Sequence, residues 1–183
     1  LLIWHDMFFH FVNNSEYCKD GKIDPSIKEK IPKNVTLVYW NYYFNEQPPY
    51  DENISLIKSV QDTAWFAGGY WTWTGFAPHI KWSLEATEAA VKSCNKYGIK
   101  DMFFTMWGDN GAECSKFSAL PAMYAGAQFA KGNFDMESVK KGFEEMFGVG
   151  FDEFSFIELP FTDNIVKCNN PDKYMLYNDC FSG

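Results

Sequence analysis

The chain has 183 residues and a formal net charge of −8, with 16 lysines and no arginine. A nucleic-acid-binding domain needs a basic face and normally uses arginine for phosphate, so that class is excluded. The length allows one domain with a real core but is short for a complete eight-fold barrel, which takes about 250 residues. Aromatic residues make up 19% of the chain, which predicts that some rings act at a surface rather than in the core.

Four short apolar runs predict buried parallel strands. None of them alternates polar with apolar residues, and continuous apolar character is typical of strands that are covered on both faces. Each run precedes a loop and a helical segment, so each predicts one βα unit. In chain order the runs are Leu1–Trp4, Val35–Trp40, Thr63–Gly68 and Met102–Trp107.

Helical segments follow the predicted strands. The clearest has Ser83 as its expected N-cap and Gly98 as its stop signal, with acidic residues early and lysines late. A further helix is expected to begin at an Asp135 cap and run through Phe147. In chain order the helical segments other than the one that Asp135 caps are Pro25–Lys30, Asp51–Val60, Ser83–Tyr97, Ser115–Ala130 and Phe151–Ile157.

These elements predict an α/β fold. Four βα units are half of a (β/α)₈ TIM barrel, here its C-terminal half, followed by a small helical extension. The expected boundary divides residues 1–131, the half-barrel, from residues 132–183, the helical extension and an irregular tail.

Tryptophan recurs at the carboxyl end of each predicted strand, where parallel barrels place their active sites. In two cases an aspartate follows two residues later, giving the pairs Trp4 with Asp6 and Trp107 with Asp109. Residues two apart on a strand point the same way, so each pair is expected to face one cavity. Indole faces pack on the C–H surfaces of sugar rings and carboxylates accept their hydroxyl protons, so the pattern predicts a carbohydrate site.

The alternative is that these rings only pack. A single tryptophan at a strand end is more often a core or loop residue, whereas tryptophan at all four ends favours a shared pocket. Trp65 and Trp82 lie off the pattern and are expected to be structural, and His5 is expected to point into the packing layer.

Four longer segments resemble glycoside hydrolase family 20, and within it the small intracellular β-N-acetylhexosaminidases of Gram-positive bacteria. They are IWHDMFF, IPKNVTLVYWNYY, FAGGYWTWTGFAP and IKDMFFTMWGDNGAECS, in order over roughly residues 1–160. The resemblance implies removal of terminal β-linked N-acetylglucosamine or N-acetylgalactosamine with retention of configuration. The substrate's own acetamide oxygen attacks the anomeric carbon, assisted by an Asp–Glu pair, and no metal or cofactor takes part.

The resemblance also implies roles for individual residues. Trp4, Trp40 and Trp107 match the box that encloses the acetamide methyl group. The tyrosine that donates to the acetamide oxygen has two candidates, Tyr42 and Tyr70, of which Tyr42 is favoured. Asp109 matches the family's acidic residue that binds sugar hydroxyls. Trp71 and Trp73 match walls of the sugar site or of the aglycone site.

The family's catalytic motif, H-x-G-x-D-E, does not occur in the chain. The Asp-Glu dipeptides at Asp51 and Asp152 are expected at helix starts, where carboxylates serve as caps. The family's sugar-binding arginine is also missing. We therefore expect no catalytic residue in this chain. The first barrel strands and the catalytic acid are expected upstream of it, and the chain alone is expected not to hydrolyse the substrate. Its open half-barrel edges predict a homodimer or pairing with a missing N-terminal half.

A metal-dependent hydrolase is disfavoured because the three histidines lack ligand spacing. A sugar-binding module that lacks the acid stays open as a non-enzymatic alternative. The five scattered cysteines predict reduced thiols and a cytoplasmic location, with Cys168 and Cys180 as the one candidate disulfide. No apolar stretch is long enough to cross a membrane.

Overall fold

Four parallel strands form one sheet in the order β1-β2-β3-β4. In the register, Ile3 lies opposite Leu37 and Tyr39 lies opposite Phe66. The strands are β1 (Leu2–Trp4), β2 (Thr36–Trp40), β3 (Trp65–Gly69) and β4 (Met102–Thr105). The fold comes from a computed structural model that describes residues 1–8 and 26–161. The predicted strands and the α/β class are confirmed, whereas the candidate pair Cys168 and Cys180 lies outside the described residues.

Helices follow the strands as predicted, with shifted starts. They are α1 (Ile27–Lys30), α2 (Gln47–Val60), α3 (Ile80–Tyr97), α4 (Leu120–Ala130), α5 (Met136–Phe147) and α6 (Phe151–Ser155). Short 3₁₀ turns occupy Asp109–Gly111, Lys116–Ala119 and Phe156–Phe161. None of the helices within the described ranges has the length and apolar character that crossing a bilayer requires.

The predicted start of α3 at Ser83 is wrong. The helix begins three residues earlier, and the Ser83 hydroxyl, inside it, donates to the carbonyl of His79 at 2.7 Å. By contrast, the Asp135 cap on α5 is confirmed, because its carboxylate accepts the N–H of Glu137 at 3.2 Å. Gly148 ends α5 in a left-handed conformation with φ 69°, which favours glycine.

Asp51 is likewise not a helix cap, because α2 starts four residues before it, with prolines in the first turn. Its carboxylate accepts hydrogen bonds from Ser93 at 2.5 Å and from Lys96 at 2.7 Å, both on α3. Asp51 therefore links two helices, and the expected role in capping is wrong. Asp152 does lie in the first turn of α6, as expected, and pairs with Lys140 at 2.8 Å.

The chain divides into two compact units. The first comprises residues 1–68 and 89–104, and the second residues 69–88 and 105–183. The first unit holds a core between the sheet and helices α2 and α3, in which Tyr39, Phe66 and Ile54 are fully buried. Each such side chain contributes roughly 1.5–3 kcal/mol by leaving water.

The second unit has its own aromatic core. Phe143 of α5 is fully buried. Its ring lies 5.7 Å from that of Tyr124 and 5.2 Å from that of Phe151. Helix α4 packs against α5 here. The expected domain boundary after Lys131 stays a prediction.

The face of the sheet that points away from the core of the first unit is concave. The ring centroids of Trp4 on β1 and Phe103 on β4 lie 6.1 Å apart, and that of Trp65 lies 6.4 Å from Phe103. On a flat sheet two intervening strands would separate β1 from β4 by roughly 14 Å. The rings meet because the sheet curves toward this face.

Candidate functional site

The predicted sugar-binding residues fall into both units. All of them lie at or beyond the carboxyl end of a strand. The first unit contains Trp4, Asp6, Trp40 and Tyr42, and the second contains Tyr70, Trp71, Trp73, Trp107 and Asp109.

The expected strand alternation of Trp4 with Asp6 and of Trp107 with Asp109 is wrong. Strand β1 ends at Trp4, and residues 5–8 already have helical backbone. Strand β4 ends at Thr105, and Asp109 opens a 3₁₀ turn. Strand geometry therefore does not set the direction of either carboxylate, because the chain leaves the sheet before reaching it.

An aromatic group lies at the carboxyl end of β2 and is formed by Trp40, Tyr42 and Tyr43. The Trp40 ring lies 5.4 Å from that of Tyr42, and the two tyrosine rings lie 4.7 Å apart. The side-chain oxygen of Asn41 accepts the backbone N–H of Tyr43 at 2.9 Å. The backbone N–H of Asn41 donates to the carbonyl of Ala67 on β3. These bonds fix the backbone of the turn that presents the rings.

Tyr43 is the residue of this group that sequence reasoning missed. It is 51% exposed, whereas Tyr42 is 8% exposed and Trp40 is half-buried. The ring of Tyr43 is therefore the most exposed of the group, and the rings of Trp40 and Tyr42 are more buried. The signal in the sequence is the repeated Tyr in WNYY, of which the family resemblance gives a role only to Tyr42.

The ring of His5 packs against the Trp40 ring of this group. Its ring is 2% exposed and lies 6.5 Å from the Trp40 ring and 5.0 Å from the Tyr39 ring. Its Nδ1 donates to the carbonyl of Val38 at 3.2 Å, because a carbonyl only accepts. The expectation that His5 points into a packing layer is confirmed. Burial lowers the pKa of His5 to about 4, against the opposing effects of Asp6 and the Val38 carbonyl.

Asp6 is partly buried, and its Oδ1 atom has no hydrogen-bond partner among the described residues. A buried carboxylate oxygen normally finds a donor. Oδ1 of Asp6 is thus an acceptor that none of the described residues uses.

A second aromatic group follows β3, formed by Trp71, Trp73, His79 and Trp82. The ring of Trp71 lies 5.1 Å from that of Trp73, 6.0 Å from that of His79 and 5.8 Å from that of Trp82. Trp73 is 6% exposed, whereas Trp71 and Trp82 are half-buried. Trp82 packs on a candidate sugar-binding ring, which fits its expected structural role.

Tyr70 points into the packing of the second unit. A Cβ atom at Gly126 of α4 would collide with its hydroxyl oxygen and would lie 3.3 Å from Cγ2 of Thr87. Burial raises the pKa of Tyr70 above its ordinary value. The Tyr70 hydroxyl thus lies against the backbone of helix α4.

Lys116 is a cation that sequence reasoning missed. Its ammonium group donates to the hydroxyl of Thr72 at 3.1 Å and to the carbonyl of Trp107 at 2.5 Å. It thereby joins the segment that carries Trp71 and Trp73 to the segment that carries Trp107 and Asp109. The Trp107 ring is 38% exposed and Asp109 is exposed, so both are open to a ligand.

In residues 1–8 and 26–161, no group of three or more His, Cys, Asp or Glu side chains could hold a metal ion. Within the described ranges, Cys94 and Cys114 are buried and are not joined in a disulfide. The Cys114 sulfur lies 3.2 Å from the Ser118 hydroxyl. The first unit offers aromatic rings and the Asp6 carboxylate, and the second offers aromatic rings and the Lys116 ammonium group. No protein-family model matches the chain, and no curated protein matches it either.

Proposed function

We propose that the chain is the sugar-cradling part of a retaining exo-β-N-acetylhexosaminidase of the glycoside hydrolase family 20 type. The observation that carries the proposal is the aromatic group of Trp40, Tyr42 and Tyr43 at the carboxyl end of β2. Clustered rings at the carboxyl end of a parallel strand suit the apolar face of a pyranose ring. The substrates would be terminal β-linked N-acetylglucosaminides or N-acetylgalactosaminides.

In this role, Trp40 packs against the sugar or its acetamide methyl group, and the Tyr42 hydroxyl donates to the acetamide oxygen. Asp6 accepts a hydrogen bond from the ligand through Oδ1, which lacks a donor among the described residues. Trp4, Trp71, Trp73, Trp107 and Asp109 complete the proposed set of sugar contacts.

The curvature of the sheet supports the proposal of a half-barrel. A sheet that closes into a barrel must curve toward the face that becomes the interior. In the first unit, side chains of β1 and β4 meet on the face opposite the helices. That face carries the bulky rings Trp4, Trp65 and Phe103, in keeping with barrel interiors that are filled by side chains.

A non-catalytic carbohydrate-binding module is the second candidate function. This function is favoured because the aspartates of both Asp-Glu dipeptides bind other side chains. Asp51 binds Ser93 and Lys96, and Asp152 binds Lys140. Asp51 thus links helices α2 and α3, and Asp152 forms an ion pair at the surface. Both candidate functions require that the chain bind an N-acetylated sugar.

Binding of N-acetylglucosamine, followed by calorimetry and tryptophan fluorescence, tests the shared claim. We expect W40A to weaken binding on the order of tenfold, equal to about 1.4 kcal/mol. The matched control is W65A, a half-buried indole of the same unit that lies at the amino end of β3. Y42F should weaken N-acetylglucosamine more than glucose, because only the former carries the acetamide. Absence of binding by the unmodified chain, or equal losses in W40A and W65A, contradicts the proposal.

A further inference from the structure

Glu158 lies far from the candidate site in sequence but contacts the aromatic group that follows β3. It belongs to the 3₁₀ turn Phe156–Phe161, after α6. Its Oε2 atom accepts the backbone N–H of Lys81, in the first turn of α3, at 2.8 Å. The same atom lies 3.8 Å from Nδ1 of His79. One carboxylate thus contacts both a helix start and an imidazole.

His79 in turn holds the backbone of Trp71. The backbone N–H of His79 donates to the Trp71 carbonyl at 2.8 Å. The His79 ring meets the Trp71 indole edge-on, with an interplanar angle of 88° and a centroid distance of 6.0 Å. The Ser83 hydroxyl accepts the N–H of Trp71 at 2.9 Å and donates to the His79 carbonyl at 2.7 Å. Both backbone hydrogen-bonding groups of Trp71 are therefore tied to the segment that Glu158 contacts.

The carboxylate of Glu158 is partly sheltered, with 25% of its side chain exposed, and His79 has a similar exposure of 26%. Burial alone would raise the pKa of Glu158. His79 and the backbone N–H groups of Lys81 and Ile80 outweigh that effect and hold the pKa below its ordinary value. Glu158 is therefore ionised at neutral pH and suits the positive end of the helix dipole of α3.

We propose that Glu158 is a positioning residue for Trp71. Through His79 and the start of α3 it sets the orientation of the indole that packs on the ligand. The role in ligand binding rests on the proposed function, in which Trp71 contacts the sugar. Glu158 touches no ligand itself, so its effect passes through the imidazole and the helix start.

A helix cap without further consequence is the competing explanation. A serine, threonine, aspartate or asparagine beside the first turn is the usual cap of a helix. Here the carboxylate comes from 77 residues away and also contacts the imidazole that packs on Trp71. The two explanations differ in whether the Trp71 ring moves when Glu158 is changed.

The test compares E158A and E158Q with the matched control E153Q, an exposed glutamate on the preceding helix α6. The Trp71 and Trp73 rings lie close enough, at 5.1 Å, to couple in near-ultraviolet circular dichroism. We expect E158A to reduce this signal and to weaken N-acetylglucosamine binding on the order of tenfold. E158Q retains an acceptor for the Lys81 N–H, so it should restore part of both. E153Q should change neither.

Each outcome separates the two proposals. If the unmodified chain binds no N-acetylated sugar, the proposed function fails, but the dichroism still reports whether Glu158 orients Trp71. An E158A chain that is folded, with unchanged dichroism and affinity, overturns the positioning role. If E158A does not fold, E158Q decides, since equal dichroism and affinity in E158Q and E153Q also overturn it.

Discussion

His5 stays neutral in the folded chain although histidine is ordinarily charged in mild acid. Its ring is buried beneath Trp40, and burial lowers its pKa from 6.5 to about 4. In the unfolded chain the ring would titrate near its ordinary pKa of about 6.5. Between these two values the unfolded chain binds a proton that the folded chain does not. Stability therefore falls as the pH decreases through this window, by up to about 1.4 kcal/mol per pH unit.

The H5N variant tests this at the level of one residue. Asparagine keeps a donor for the Val38 carbonyl but does not titrate, so its free energy of unfolding should depend less on pH between about 4 and 6.5. The variant should be less stable at neutral pH, because the smaller side chain leaves a cavity. Urea unfolding of both chains across the window measures the two slopes. Parallel slopes would show that His5 is already accessible to protons in the folded chain.

Helix α4 contains a glycine at the point where it meets Tyr70. Gly126 is buried, and a Cβ atom there would collide with the Tyr70 hydroxyl oxygen. Alanine is otherwise the better helix residue by about 1 kcal/mol. Glycine at this position therefore reflects close packing of the helix on Tyr70 rather than a need for backbone freedom.

We expect G126A to lower the free energy of unfolding by about 1–3 kcal/mol, since overpacking outweighs the gain in helix propensity. Y70F/G126A should recover most of the loss, because the nearest remaining atom of the ring, Cζ, lies 3.3 Å from the added Cβ. The control A127G changes helix propensity on the exposed face of α4. Urea unfolding of the single and double variants completes the cycle. Additive effects of Y70F and G126A would show that the two residues do not contact.

The strands and most helices could be predicted because their signals are local. Apolar runs marked β2 and β3, and the aspartate cap and terminal glycine marked α5. The start of α3 could not be predicted from Ser83, since the cap comes from Glu158, 77 residues away along the chain. A serine with capping chemistry was instead used inside the helix to bind the Trp71 N–H.

The candidate site was predictable as a set of residue types but not as a geometry. Tryptophan at strand ends pointed to Trp40 and Trp71, and the structure places further rings against each of them. The directions of Asp6 and Asp109 were not predictable, because they depend on where each strand ends. Lys116 was missed because its partners, Thr72 and the Trp107 carbonyl, are distant in sequence or belong to the backbone.

At the scale of the whole molecule, the proposed sugar binding stands beside the absence from the sequence of the catalytic motif of glycoside hydrolase family 20. The 183-residue chain should therefore bind N-acetylglucosamine but leave a chromogenic N-acetylglucosaminide intact. In the substrate-assisted mechanism, departure of the leaving group requires an acid, and no residue here matches it. A colorimetric assay with rigorously purified chain checks the expectation.

Trace contamination is the main risk in that assay, so D152N and E153Q serve as its internal controls. Turnover that persists unchanged in every variant, including W40A, would come from another protein. Turnover that disappears in D152N or E153Q would show that this dipeptide is catalytic and that the expectation is wrong.

The concave face of the sheet in the first unit constrains how its sequence can vary. Because the rings of Trp4, Trp65 and Phe103 fill a single layer, the volume available to one depends on the size of the others. We therefore expect a substitution on β4 to be compensated by one on β1, although the two strands are not neighbours in the sheet. Related chains should exchange large and small side chains at these three positions together, so that the sum of their volumes varies less than any one of them.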